Sequence, residues 1–503
     1  MTRLRAVLAA ALAGAALLFA RPARAQVPVI TGSDDSPAVR VARRIVDRAR
    51  YVYIDRDTVL GPDFRIDGDL VIYDAEVRLE GSVEGSVAVL GGDFWIRPGG
   101  RVGGAIAVLD GGVYPSALAI IRRDSLFQQD PRTTVATQTV PTADGAYTAA
   151  IGVTPPPAAP FFAPGYGPLP SYDRVNGLTL YASGTIRPTR DFDGPSIRVF
   201  GAYRFKNDDH LGGGARFDVP LGRQNVHLTG EVSRLHRTND AWIRPEFSNT
   251  ARAVVFGDDE RDYWDSDLIR VQVQRPVGIP LISGESWLGP RVGVQVSRDR
   301  SLPTRDPWSL WGDALNRENP EVLEGTIVSG LIGTEYHWRG LTSRFDGAAD
   351  LEVAPGGVSD AEFSQGLVQG SYEATAMRTH TLRVYFRGMA PLSGNAPPQR
   401  EGIMGGAATL ATERTASFRG DHLVFIESSY AVPINSIVLP YVGSPSVEAV
   451  HMVGAAWTGD NDRPWVQNAG VGVVFTLVRA RVLMDPATGG TAFAFGLSLP
   501  ARR

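Results

Sequence analysis

From Gly177 onward the sequence alternates apolar and polar residues, and it offers no apolar run of the ~20 residues a membrane-spanning helix needs. Leu178-Thr179-Leu180-Tyr181-Ala182, Ile197 to Phe205, Leu268 to Gln274, Leu382 to Arg387 and Leu423 to Glu427 all repeat with a period of two. That is the spacing of a strand whose two faces meet different surroundings. The polar partners are often Arg, Gln and Glu. In a soluble sandwich such residues coat the outside; in a transmembrane barrel the order inverts, with polar residues in the lumen and apolar ones toward lipid. Period alone leaves both readings open.

Three features favour the membrane barrel. The longer strands reach about ten residues, the ~9–11 that cross a bilayer. Aromatic residues gather near strand ends (Tyr181, Phe205, Tyr263, Trp264, Tyr336, Trp338, Tyr430 and Trp457), where interface girdles sit. Long polar connections, Asn239 to Tyr263 and Ser301 to Leu323, mix with short ones, Arg187 to Gly194 and Pro220 to Asn225.

The N-terminus agrees with export. Arg3 and Arg5 precede the apolar stretch Ala6 to Ala20, and Ala23-Arg24-Ala25 offers a cleavage site before Gln26. Residues 1–25 therefore read as a secretory signal peptide, because about 15 apolar residues fall short of a spanning helix. Removing four arginines and no acid takes the formal charge from −4 to −8, which leaves no basic excess to suggest nucleic acid. Without cysteine the exported chain has no disulfide framework. The single lysine is Lys206; the rest of the positive charge is arginine.

Four segments follow the signal: an N-terminal piece (26–58) with a short helix expected over Ser36 to Arg50, a repeat region (59–125), a Pro-rich linker (126–175), and the barrel (176–503). In the repeat region Gly68-Asp69-Leu70-Val71 recurs as Gly85-Ser86-Val87-Ala88 and Gly104-Ala105-Ile106-Ala107, at spacings of 17 and 19 residues. Short apolar strands broken by glycine turns at a near-fixed period predict a β-solenoid. This stretch resembles the bactofilin, or polymer-forming, β-helices, and the resemblance implies self-association. The linker, rich in Thr and Pro through Pro170, is expected to stay extended. The fold class is thus all-β: a transmembrane antiparallel β-barrel of about 16 strands, an even number, preceded by a small β-solenoid.

The last hundred residues carry the most specific pattern. Gly405-Gly406 precedes Phe418-Arg419-Gly420-Asp421, then a strand through Glu427 to Tyr430. Gly454-Ala455-Ala456-Trp457, Gly470-Val471-Gly472-Val473 and a final strand from Thr491 follow. This order resembles the BamA/TamA-type assembly barrels, the bacterial surface antigen family, with Arg261-Asp262-Tyr263-Trp264 as a weaker upstream match. The resemblance implies outer-membrane location, a loop folded into the lumen, and an arginine at its tip held by acids of the barrel wall. Arg414 and Arg419 are the candidates, since Ala411-Thr412-Glu413-Arg414 stands where the tip motif is expected. From the alternation, Glu427 is expected to pair with Arg419 or Arg414. No POTRA repeats precede the barrel, which removes the family's client-receiving modules. Gly490, Phe493 and Phe495 fit a closing-strand assembly signal, and Pro500 would end that strand.

Catalytic patterns do not emerge: there is no Gly-x-Ser-x-Gly, no His-Glu-x-x-His and no phosphate-cradling loop. The seven histidines are dispersed, so no enzyme, cofactor or metal site is expected. The acidic runs Asp208-Asp209 and Asp258-Asp259-Glu260 read as solvated loops, with a Ca²⁺ or lipopolysaccharide bridge as the sharper alternative. The expected partner is outer-membrane lipid, with other outer-membrane proteins or a second solenoid beside it. The leading function is assembly or translocation of proteins or lipids through a weak first–last strand seam. A barrel anchoring the solenoid and a passive porin are the alternatives.

Overall fold

The computed structural model describes residues 28–497 apart from short breaks, the largest at 142–146, 280–284, 312–316, 438–443 and 460–464. The signal peptide and Pro500 lie outside the described residues. The chain divides into two compact units on either side of the Pro157–Ala158 bond.

In the first unit the 17- and 19-residue spacings are coil lengths. Tyr51–Ile54, Asp69–Leu79, Val87–Ile96, Ile106–Pro115 and Leu126–Gln128 stack in parallel, with Leu70 over Val87 and Val87 over Ile106. Short strands at Arg65–Ile66, Ser82–Val83 and Arg101–Val102 build a second face. Stacking returns each inward residue to the same place, so Leu70, Val87 and Ile106 form one buried column and Ile72, Val89 and Val108 a second beside it. Asp74, Gly91 and Asp110 follow stacked residues at one corner and all hold positive φ, which explains the recurring glycines and aspartates there.

The opposite faces of these strands are buried too. Helix α1 (Pro37–Asp47) lays Val39, Ala42, Ile45 and Val46 over Val71, Ala88, Leu90, Ala107 and Leu109. The stretch expected to be an extended linker does more than connect. Thr134–Pro141 and Tyr147–Thr154 pair as an antiparallel hairpin, and Val29–Thr31 adds in parallel. The β-branched residues between the prolines outweigh them: Ile151 and Val153 bury against the α1 layer, while Pro141 and Pro155 stand at or beyond strand ends.

The wall of the second unit is one antiparallel sheet, sixteen strands among the described residues when the two segments of the first strand are taken together and the short Val277–Gly278 piece is counted with its neighbour. It begins before residue 176. Strand β1 is interrupted, with Phe162–Gly165 and Ser171–Asp173 both paired to β2 (Gly177–Ile186). In chain order follow β3 (Ser196–Arg204), β4 (Leu211–Leu221), β5 (Val226–Arg237), β6 (Trp264–Gln274), β7 (Glu285–Ser301), β8 (Gly325–Arg339), β9 (Ser343–Ala354) and β10 (Phe363–Ala376). Then come β11 (His380–Gly394), β12 (His422–Pro433), β13 (Ser446–Trp457), β14 (Val466–Val474), β15 (Val478–Met484) and β16 (Thr491–Leu497). Every strand pairs with its chain neighbour.

The direction of the alternation now shows. On β7, Val292 and Val294 are 57% and 61% exposed, whereas Gln295, Ser297 and Asp299, at the odd positions that follow, are buried. Ile332, Val471 and Val482 are likewise exposed, while Ser329, Asn468 and Arg481 on the same strands are buried. Polar residues point in and apolar residues out, the inverse of a soluble sandwich. One end of the barrel carries the long connections 238–263, 302–324 and 395–421; the other carries turns as short as 340–342 and 377–379, and the chain enters β1 at that end.

Candidate functional site: the plugged lumen and the open seam

The loop 395–421 folds back into the lumen. Gly402–Met404 and Phe418–Gly420 form a two-stranded arm. Between them Gly405 (φ 106°) and Gly406 (φ 99°) turn the chain so tightly that a Cβ at 405 would lie 2.2 Å from the Arg414 carbonyl oxygen. The Gly405 amide donates to Thr409 Oγ1 (3.0 Å). Ile403, Met404 and Leu410 pack on Leu423, Phe425, Val450, Met452, Leu483 and Ala494, the inward residues of the β12–β16 wall. Apolar residues in a polar lumen thus mark where the loop docks.

A second loop, 238–263, meets the first. Its Trp242 joins the same apolar cluster, stacks on Tyr385 and takes the Arg387 guanidinium over its ring at 5.2 Å. Helix α2 (Glu246–Phe256) follows and ends at Gly257, whose φ of 69° is left-handed. The acidic run after it is no solvated loop. Glu260 is buried, pairs with Arg244 at 2.8 Å and accepts the Ala408 amide at 3.3 Å. Asp258 pairs with Arg252 and accepts from Thr415. Asp259 accepts from Asn249 and the Tyr263 hydroxyl and pairs with Arg174 at 3.2 Å. Arginine, asparagine, tyrosine and backbone groups fill the places a calcium ion would need. Asp208 pairs with Arg305 of the 302–324 loop.

The centre of the plug is Asp262. Its carboxylate meets Arg174 from the β1–β2 connection at 3.0 Å, Arg317 from the 302–324 loop, and Arg419 from the lumen loop. One buried acid therefore ties four loops together. The Asp262 amide donates to Asp240 (2.8 Å), and burial lifts the Asp240 carboxyl to about 6 although several arginines surround it. Glu401 is 3.5 Å from Arg419, yet burial and the Asp421 carboxylate push it up to about 7.

Of the sequence candidates, Gly405, Gly406, Phe418, Arg419 and Gly420 come together in the lumen arm. Arg414 is exposed. Asp421 is buried and pairs with His422. The expected Glu427 pairing is corrected: Glu427 meets Arg481 at 3.0 Å, and Arg481 also meets Glu448. Glu427 lies on the wall, with Arg481 three strands further along the sheet, whereas Arg419 is held by a loop acid. Phe493 and Phe495 point outward at 68% and 44% exposure, and Gly490 closes the turn before β16. Asp262 was visible only as part of the Arg261-Asp262-Tyr263-Trp264 pattern. Arg174 and Arg317 carried no local signal.

Among the described residues, cavities of about 500 and 580 Å³ lie beside the plug. The first lies between Arg244 and Ala407 of the plug and Glu373, Arg383 and Arg481 of the wall, and reaches β16 at Phe495. Among the described residues β16 pairs only with β15, and β1 only with β2, so no strand-to-strand ladder closes the seam.

Several solved structures are similar to this chain at low identity. They include BamA from Haemophilus ducreyi lacking POTRA domains 1–3 (12% identity over 73% of this chain and 74% of that one, TM-score 0.43). CdiB from Escherichia coli is 13% identical over 72% of this chain and 67% of that one, with a TM-score of 0.39. The siderophore receptor PirA from Acinetobacter baumannii scores lower, with 10% identity over 71% and 68% and a TM-score of 0.27. No protein-family model and no curated protein matches the sequence.

Proposed function

We propose that this chain is an outer-membrane barrel of the assembly or translocation type, opening at its first–last strand seam. The observation that carries the reading is the combination of a lumen filled by an ion-paired plug with a seam that no strand pairing closes among the described residues. A passive porin needs the reverse, an unobstructed lumen and a continuous wall. The outward apolar band supports lipid as the surrounding medium, since each exposed valine or isoleucine would otherwise forfeit its burial energy to water. The chain enters β1 at the short-turn end; if that end faces the periplasm, residues 28–157 are periplasmic too.

The test is depletion of the protein followed by quantitative proteomics of the outer membrane. A fall in the abundance of a defined set of outer-membrane or surface proteins is expected. An unchanged inventory, with loss of an envelope structure instead, would favour a barrel that merely anchors the solenoid.

A further inference from the structure

Helix α2 is built inside out. Its buried residues include Ser248 and Asn249, which are 2% and 1% exposed. Asn249 donates to Asp259 at 2.9 Å and to the Tyr263 hydroxyl at 3.2 Å, and Ser248 accepts from Arg244. On the other side Phe247, Ala251, Val254 and Val255 share one face, at the i, i+4, i+7 and i+8 positions, and none is buried; Phe247 is 49% exposed. A helix on a water-soluble protein puts such a stripe against the core and its amides in solvent.

The two remaining sides meet the two edges of the seam. Thr250 Oγ1 accepts the amide of Tyr172 on β1 at 3.1 Å, and the Arg252 guanidinium donates to the carbonyl of Phe495 on β16 at 3.2 Å. At roughly 100° per residue, positions two apart lie on nearly opposite sides of a helix. Thus α2 has one side on β1, the opposite side on β16, a polar side toward the lumen and an apolar side turned outward. We propose that α2 is a stave of the barrel wall, replacing strand pairing at the seam and presenting its Phe247–Ala251–Val254–Val255 face to lipid acyl chains.

Lipid is the occupant because of what adjoins the face. Phe493 and Phe495 on β16 and Leu178 and Leu180 on β2 are exposed apolar residues on either side of the seam, and the α2 stripe carries no charge. At the C-terminal end of α2, Leu310 and Trp311 donate their amides to the carbonyls of Val254 and Val255. Trp308 and Trp311 there are 63% and 74% exposed, the residue type that settles at a membrane interface.

The inference rests on the outer-membrane reading, and the test separates the two. The chain has no cysteine, so a single introduced thiol is unique. Phe247→Cys and Ala251→Cys are labelled with bimane and the protein is placed in phosphatidylcholine nanodiscs whose acyl chains carry doxyl quenchers. Val482→Cys on the outward face of β15 and Ser429→Cys in the lumen are the references. Quenching at 247 and 251 equal to that at 482, and several-fold above that at 429, is expected. If 482 is quenched while 247 and 251 behave like 429, the stave is wrong and the membrane barrel stands. If 482 is not quenched either, both fall. Should Phe247→Cys fail to fold, Ala251→Cys changes one atom and carries the comparison alone.

Discussion

Replacing Asp262 with asparagine keeps the shape of the side chain and removes the one charge on which Arg174, Arg317 and Arg419 converge. Leaving a buried charge without its partner costs about 3–5 kcal/mol. Each arginine keeps some compensation: Arg174 has a second acid in Asp259 at 3.2 Å, Arg317 still donates to the Arg261 carbonyl at 2.8 Å, and the Arg419 side chain is 30% exposed. The low end, about 3 kcal/mol, is therefore the expected loss. That loss falls on the docking of the plug and not on the wall, because none of these residues lies on a strand of the barrel sheet. At about 1.4 kcal/mol per factor of ten, the undocked population rises on the order of 100-fold. In planar bilayers Asp262→Asn should show frequent large conductance steps that the parent lacks, and in cells it should admit bulky antibiotics. The variant should still show the heat-modifiable migration of a folded barrel. Parent-like conductance with an unaltered thermal midpoint would refute Asp262 as the keystone.

Other outcomes follow from the same geometry. Glu401 and Asp240 hold protons up to about 7 and 6 in the docked plug, against ordinary values of 4.5 and 3.8. A raised carboxyl value means the docked state binds the extra proton, so its contribution is complete below about pH 4 and is lost as pH climbs through 6 to 7. Conductance should accordingly rise between pH 5 and pH 8, and Glu401→Gln should flatten that rise. Gly405→Ala forces a side chain onto φ 106° and against the Arg414 carbonyl, and should cost about 1–3 kcal/mol, seen as a lower midpoint for heat modification. Gly459→Ala, at φ 63° with open space around it, should cost less. In the solenoid, Phe94→Ala empties a fully buried site and should cost about 3–5 kcal/mol. Proteolysis of residues 28–157 should then accelerate while barrel migration is unchanged.

The solenoid was legible because stacking imposes its period on the chain itself: the residues over Leu70 must recur one coil later, and they do at Val87 and Ile106. Barrel strands were legible for the same kind of reason, but which face met lipid was not, since alternation is symmetric under inversion. Gly405-Gly406 announced a turn only glycine can make. The plug's electrostatics stayed hidden because its pairs are remote: Arg419 and Asp262 are 157 residues apart, and nothing near Arg174 or Arg317 distinguishes them from other arginines. The acidic run at 258–260 misled in part for the same reason, since Arg174 pairs with Asp259 from 85 residues away, while Arg244 and Arg252 are brought back onto the run only by the turn of α2. The hairpin at 134–154 was missed because prolines dominate the composition around it while β-branched residues decide the local backbone.

That remoteness makes the interior a report on distant parts of the sequence. Arg174 reaches Asp262 from 88 residues upstream and Arg317 from the next long loop, but Arg419 must come from 157 residues downstream. Closing so long a stretch of chain is entropically slow, so the third guanidinium is the last of the three to dock. A chain truncated before residue 395 would keep the first two pairs and lose the third together with the apolar arm, and its interior would stay wet.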